Sequence, residues 1–472
     1  MNKLKITSLL FWVLFTALGT TTHAKAPTID KNIKADTVKN IGQLMRDHYV
    51  FPEMGKKTAQ ALQARLEAGD FKDITDSHEF AKALTKAVRE ITKDKHLRVR
   101  PNPLGSQKHS REDAINHRLD RREHSRQANL GISQVRKLDG NVGYLDLRGF
   151  HSLTQAKSSL DSAMALLNSS DAIIIDLRKN GGGDPHTVQY LCSYFFDEHL
   201  LLNSLYYREG DVTTEFWTLD EVDGDKLPEV PLFILTSGRT FSAAEEFSYN
   251  MQTQERATLI GETTGGGANP GGGFKINELF GMFIATGRAI NPITKTNWEG
   301  VGVVPQIKTD SDNAFGKAVE LASEAAEQKR QAKRVAYLEG ALAMYQHLDQ
   351  MAQSVQYPFN NEQETKFFAA MDRFKSNLAM NEIQLNDLGY EYLLKNKQPT
   401  IGLLVMKFTA RTYPDSANVY DSLGDAWLNM KQPELAKKSF AKGLQLVDEA
   451  DEALKETLQQ NLAKAEQMAQ GQ

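Results

Sequence analysis

Apolar positions near the start of the chain recur at helical spacing. Phe80, Leu84, Val88 and Ile91 stand four, four and three residues apart, which places them on one face of a helix. The segment from Asp36 to Ile91 therefore predicts a small helical N-terminal domain, taken as residues 30–100. Apolar residues then nearly vanish among Arg, Asp and His, and residues 101–129 read as a polar surface loop or linker. From Leu130 the pattern becomes that of strands. Asp139-Gly140 separates a segment ending at Leu138 from one spanning Val142 to Leu147, a strong hairpin signal. A helical segment ends near Leu167, and the run Ala172–Leu177, apolar apart from Asp176, reads as a buried strand. Asp184-Pro185 supplies an N-cap followed by a proline in the first helical turn, and Val188, Leu191, Cys192 and Phe195 give that helix its buried face. Leu232–Leu235, a turn over Thr236–Phe241 and a helix from about Ser242 repeat the order strand, turn, helix, which predicts an α/β core over residues 130–310.

Beyond Asn313 the pattern is helical again, with a connector over 311–380 and an internal repeat over 381–472. Leu385, Leu388, Gly389, Tyr392, Ile401, Val405 and Phe408 return thirty-five positions later as Tyr420, Leu423, Gly424, Trp427, Ala436, Phe440 and Gly443. This resembles the tetratricopeptide pattern, whose period is about 34 residues. Glycines at 389 and 424 let paired helices approach, and large residues fill the seam. Packing against the neighbouring α/β core and a groove for a protein partner are both open roles, since two repeats offer little concave surface.

Composition narrows the classes. The 472 residues suffice for several domains. With 56 Lys plus Arg against 60 Asp plus Glu and a formal charge of -4, no chain-wide field attracts nucleic acid or an anionic membrane. The basic start, the apolar run from Leu9 to Leu18 and the small residues about Ala24 read as a secretory signal peptide over residues 1–24, so export to a periplasm or to the outside is expected. That run is near ten residues, short of the roughly 20 a span needs, and no integral membrane segment is expected after cleavage. The single cysteine, Cys192, excludes an intrachain disulfide and reads as a buried structural thiol. His109, His117 and His124 fit no common zinc spacing and read as solvated loop histidines.

Ser242, where a strand turns into a helix, has its hydroxyl near the positive end of the helix dipole and beside free backbone N–H groups. The position suits a nucleophile and equally suits a plain N-cap. A serine nucleophile needs a base and a group to orient that base. His96, at the junction of helical domain and core, is one candidate, with a surface histidine as the alternative. Glu299, a lone carboxylate in an apolar, glycine-rich stretch read as a strand, is the other, with a salt bridge as its alternative. Gly181-Gly182-Gly183 ends a buried strand, and glycines let a backbone N–H approach a developing oxyanion, a phosphate or simply turn the chain. The second glycine-rich loop, Gly265–Gly273, lacks a P-loop ending. Arg288 could hold a substrate carboxylate, although a structural salt bridge is the expected role.

Taken together, Asp94–Val99, Ile175–Gly183, Thr236–Phe247, Gly261–Pro270 and Asn297–Pro305 resemble the core of the tail-specific, or C-terminal processing, serine peptidases. They are most similar to the branch with interphotoreceptor retinoid-binding protein and the tricorn protease core. The resemblance spans residues 36 to 308 in family order. It implies a crotonase-like or ClpP-like core of β-β-α units, Ser242 as nucleophile, His96 as general base and Glu299 completing the relay. Gly182 or Gly183, with the N–H of Ala243, would form the oxyanion hole, the substrate would be a peptide or protein, and no cofactor or metal is implied. Two departures matter. The lysine that the processing branch uses after its nucleophile helix is missing from Gly261–Gly266, so His96 and Glu299 must supply the base. About 40 residues separate His96 from the first hairpin, too few for a PDZ insert. A catalytically silent module binding apolar ligands or proteins on the same fold is the alternative.

Overall fold

The computed structural model describes residues 29–102 and 111–470; the expected signal peptide and His109 lie outside them. It divides into two compact units, Met1–Glu327 and Gln328–Gln472. Among the described residues no helix is long and apolar enough to cross a membrane.

The first unit opens with α1 (Lys31–His48), α2 (Pro52–Glu67) and α3 (Ser77–Thr92). Asp30 and Asp76 cap α1 and α3 by accepting the N–H groups of Ile33 and Glu79. Phe80, Leu84 and Val88 point inward as their spacing predicts, onto Ile41, Met45 and Leu62. The domain then adds a strand, β1 (Arg98–Pro101). The expected polar linker instead contains a helix, α4 (Arg111–Gln127). Glu112 and Asp113 in its first turn and Arg126 in its last complement the helix dipole, and Glu123 pairs with Arg126 at 2.6 Å. Local charge pairing thus shapes a segment with almost no apolar face.

The core is a six-stranded sheet in the order β12-β8-β7-β4-β3-β2. Its strands are β2 (Ile132–Leu138), β3 (Val142–Leu147), β4 (Ala172–Asp176), β7 (Leu232–Thr236), β8 (Thr258–Gly261) and β12 (Ile307–Lys308). The hairpin β2–β3 is antiparallel and turns at Gly140, with φ 73°; the remaining pairs are parallel. Alternation along β4 feeds two layers. Ile173 and Ile175 join the core beneath α5 (Leu153–Leu167), α6 (Pro185–Ser193) and α7 (Ala243–Thr253), and Ile174 faces the other layer. That second layer is closed by Ala314, Ala318, Ala322 and Ala326, one small residue per turn at the start of α8 (Ser311–Ser354).

Two three-stranded sheets flank the core. One is β11-β5-β6, from β5 (Leu201–Tyr207), β6 (Val212–Trp217) and β11 (Gly287–Ile290); the other, β1-β10-β9, joins β1 to β9 (Gly271–Lys275) and β10 (Phe280–Ala285). The architecture is mixed α/β, with a helical N-terminal region and an all-helical C-terminal one.

The second unit contains α9 (Asn361–Asn377), α10 (Glu382–Tyr390), α11 (Pro399–Thr412), α12 (Ala417–Asn429), α13 (Pro433–Leu446) and α14 (Glu452–Gln470). The seam residues Leu385, Tyr392, Ile401, Val405 and Phe408 form one buried cluster. A Cβ on Gly424 would stand 2.2 Å from the Phe440 ring, and one on Gly389 2.8 Å from Met406. Both glycines therefore sit where helices meet most closely.

Candidate functional site

Strand β7 leaves the sheet at Thr236, and the chain reverses through Ser237–Phe241 before α7. The reversal needs Ser242 at φ 55° and ψ -123°, a conformation that L side chains rarely adopt. Three anchors hold it. Phe247, Ala244 and Met251 bury the inner face of α7 completely, each large side chain contributing about 2 kcal/mol. Asn180 accepts the Phe241 N–H with its carbonyl at 3.1 Å, donates to Leu147 O at 3.0 Å and takes the Gly182 N–H on its Oδ1 at 2.8 Å. Glu245, fully buried, reaches back to accept the Ser242 N–H at 2.8 Å.

That same Glu245 carboxylate accepts Thr264 Oγ1 at 2.5 Å and the Gly266 and Gly267 N–H groups at 2.6 and 2.8 Å. Four donors meet one anion, so the serine turn and the second glycine-rich loop are tied to a common point. Burial raises the Glu245 pKa, and these four bonds oppose the rise. The spacing Ser242-Ala243-Ala244-Glu245 is a capping-box signature, the sequence signal that could have singled out Glu245.

The triple-glycine loop lies directly on the serine. A Cβ on Gly182 would stand 2.8 Å from Ser242 Cβ and 2.9 Å from Ala243 N, and its φ is 100°. The Gly182 N–H is already given to Asn180. Gly183, at φ 148°, is bridged to Phe150, and a Cβ there would stand 1.8 Å from Phe150 O. Ala243 occupies the first position of α7, where an N–H has no partner inside the helix.

His96 enters from the N-terminal domain, 11% exposed, wedged between Phe241 and Phe283 at ring distances of 4.7 and 5.8 Å. The surface alternative is thus excluded. Asp94, 1% exposed, fixes the backbone by accepting the His96 N–H at 2.9 Å, and its other oxygen accepts Tyr49 Oη and Asn269 Nδ2. Burial lowers the His96 pKa and Arg89 lowers it further, against the opposing pull of Asp94.

Glu299 lies in a loop rather than the expected strand. Gly302 N–H bonds Trp298 O and Gly300 N–H bonds Gly266 O, so the backbone curls onto the glycine loop instead of pairing with a strand. Its Oε2 accepts the Ala268 and Asn269 N–H groups at 2.6 and 3.1 Å, a partnership with backbone rather than a salt bridge. Burial raises its pKa, with the Asp94 charge adding to the rise.

Asp94, His96 and Glu299 bring ligand-type atoms within 4.8 Å of one another. Both Asp94 oxygens and Glu299 Oε2 are committed to hydrogen bonds. The buried atoms left over are His96 Nδ1 and Glu299 Oε1. These two atoms suit a histidine–carboxylate hydrogen bond. Cys192 is fully buried, with its thiol pKa raised by that burial. Arg288 has no ion pair among the described residues; its guanidinium lies 5.3 Å above the Tyr206 ring instead. His124 is exposed, with Nδ1 2.7 Å from Asp120 O.

The mixed, largely parallel sheet thus carries Ser242 at a strained strand-to-helix turn, with His96 packed on the neighbouring Phe241 and clustered with Glu299. Residues 141–309 match the model described as peptidase family S41, and residues 26–129 match the N-terminal domain of Peptidase_S41 in eukaryotic IRBP. Together the two matches run from residue 26 to residue 309, and over that stretch the chain is similar to peptidase family S41. It is 25% identical over 177 residues to a carboxy-terminal-processing protease of Bartonella bacilliformis, covering 36% of this chain and 39% of that one. It is also 25% identical over 170 residues to carboxyl-terminal-processing peptidase 1, chloroplastic, of Arabidopsis thaliana, covering 36% and 33%. The chain thus spans well under half the length of either relative. Among solved structures, the photosystem II D1 C-terminal processing protease superposes with a TM-score of 0.38 at 13% identity, covering 60% of this chain and 94% of that one.

Proposed function

We propose that this chain is an exported serine peptidase that cleaves peptide bonds through an acyl-enzyme on Ser242. The observation that carries the reading is the strained Ser242 turn, held by Glu245 and pressed against the triple-glycine loop. Strain of this kind persists where the surroundings over-determine it.

In the reaction, neutral His96 takes the Ser242 proton as the oxygen attacks the scissile carbonyl, and then gives that proton to the leaving amine. Glu299 Oε1 accepts from His96 Nδ1–H and steadies the imidazolium. The oxyanion takes hydrogen bonds from the N–H groups of Ala243 and Gly183. Gly182 serves by its lack of a Cβ, because its N–H is spent on Asn180. Water then repeats the cycle on the ester. Export rests on the N-terminal apolar run and its small-residue cleavage spacing, and a protein partner for the C-terminal helices on their repeated seam.

The test is fluorophosphonate labelling of the mature protein, with the modified peptide located by mass spectrometry. Labelling falls on Ser242, vanishes in Ser242→Ala and slows at least a hundredfold in His96→Ala. No labelling of the folded protein between pH 6 and 9 defeats the assignment. The pH profile is a second check. Burial lowers the His96 pKa, so the base form persists to more acidic pH, and kcat/KM should fall on acidification below about 6.5. A rise centred above pH 7 would rule out His96 as the base.

A further inference from the structure

The N-terminal domain does more than deliver His96. Beside the imidazole, β1 and the β9–β10 hairpin line a cavity of about 680 Å³. Leu97 and Val99 point away into the N-terminal core, whereas His96, Arg98 and Arg100 all line the cavity. Alternate residues of a strand are about 6.6 Å apart, so Arg98 and Arg100 form a ladder on β1 that follows His96 along the same cavity wall.

The strand register completes the floor. Arg98 stands opposite Phe283, which stands opposite Gly273; Arg100 stands opposite Gly281, which stands opposite Lys275. A Cβ on Gly273 would meet nothing within 4 Å, so the floor is open there and bounded by cations and an aromatic ring. Among the described residues, no Asp or Glu lines the cavity.

The other cations are engaged. Arg89 donates to Leu97 O and Lys95 O, Lys95 donates to Gly265 O, and Lys275 pairs with Glu278. Arg98 and Arg100 form no ion pair among the described residues. Two like charges on one strand face are unfavourable when nothing compensates them. A guanidinium is built to take a carboxylate on both arms.

We propose that this cleft is a substrate subsite for an acidic peptide segment, in which Arg98 and Arg100 bind carboxylate side chains two to four residues from the bond cut at Ser242. The spacing follows from an extended peptide, which advances about 3.3 Å per residue over a ladder beginning at the base. The assignment rests on the serine-peptidase reading, so its test has one arm that needs turnover and one that does not.

Both arms use the full mature protein and peptides with amidated C-termini, so that side chains supply every carboxylate. In the first, quenched fluorescent peptides carry Glu or Gln at positions two and four on either side of the cut. The Glu peptides on one side should give at least tenfold higher kcat/KM, and Arg98→Gln with Arg100→Gln should reduce that preference to threefold or less. Equal rates for Glu and Gln peptides, or a preference that survives the double substitution, would overturn the subsite. In the second, fluorescence anisotropy measures binding of a Glu peptide. Binding that weakens tenfold in the double variant, confirmed as folded by circular dichroism, supports the subsite even where fluorophosphonate labelling fails and the serine reading falls. No binding by the wild-type protein, or binding only of a peptide with a free C-terminal carboxylate, overturns it.

Discussion

At the scale of single residues, Glu245 makes the sharpest demand. Each of its oxygens faces two donors: Thr264 Oγ1 and Gly266 N on one, Gly267 N and Ser242 N on the other. Glutamine has the same shape but replaces one oxygen with an NH2 group, so at least one buried N–H loses its acceptor in either orientation. Glu245→Gln should cost about 1–3 kcal/mol and slow fluorophosphonate labelling of Ser242 tenfold or more. A variant with unchanged melting temperature and labelling rate would remove Glu245 from any positioning role. Gly267 gives an independent test, because a Cβ there would stand 2.2 Å from Phe241 and 2.7 Å from His96 Cε1. Gly267→Ala should displace the imidazole and lower kcat much more than it raises KM. Ser242, His96 and Glu299 were singled out in the sequence as candidates by motif context and the resemblance it carries, and of these the structure clusters His96 with Glu299. Asp94 and Asn180 were not singled out, since their work is to bind backbone atoms remote in sequence, and short-range periodicity carries no trace of such partners.

At the scale of elements, the buried strands and the helices after them were legible from alternation and caps. Helix α4 was not, because charge pairs along it replace the apolar face by which helices are recognised. Glass-like regularity also hides exceptions: α7 carries Glu246 in its buried face, 6% exposed. Burial pushes its pKa up to about 7, the Asp184 charge adding and the Asn203 amide opposing. The folded carboxyl therefore holds a proton that the unfolded chain releases from its ordinary value of 4.5, and stability falls as pH rises between those values. Glu246→Gln removes this dependence. It should stabilise the protein by about 1–3 kcal/mol at pH 8 and little at pH 4.5. Urea unfolding at both pH values measures the difference, and an equal effect at the two would show that packing, not ionisation, sets the contribution of Glu246.

At the scale of the whole chain, every candidate site residue falls within the unit ending at Glu327, and helices α9 to α14 fall within the other. The return to helical periodicity near Asn313 suggested a division there; the two compact units divide after Glu327, because the first turns of α8 complete the core. Ala314, Ala318, Ala322 and Ala326 cover Val142, Ile174, Phe233 and Leu235 on the open face of the central sheet. Small side chains let a helix lie close to a sheet, and the strands beneath are apolar on both sides, as buried parallel sheets are. A chain ending at residue 310 would expose that apolar face to water and should aggregate on expression. One ending near residue 330 keeps the cover and should remain soluble, with Ser242 labelled at a rate within a few-fold of the full chain. Equal solubility of the two would mean that α8 adds little to the core. Loss of labelling in the longer one, with its circular dichroism intact, would instead make the C-terminal unit part of the working enzyme.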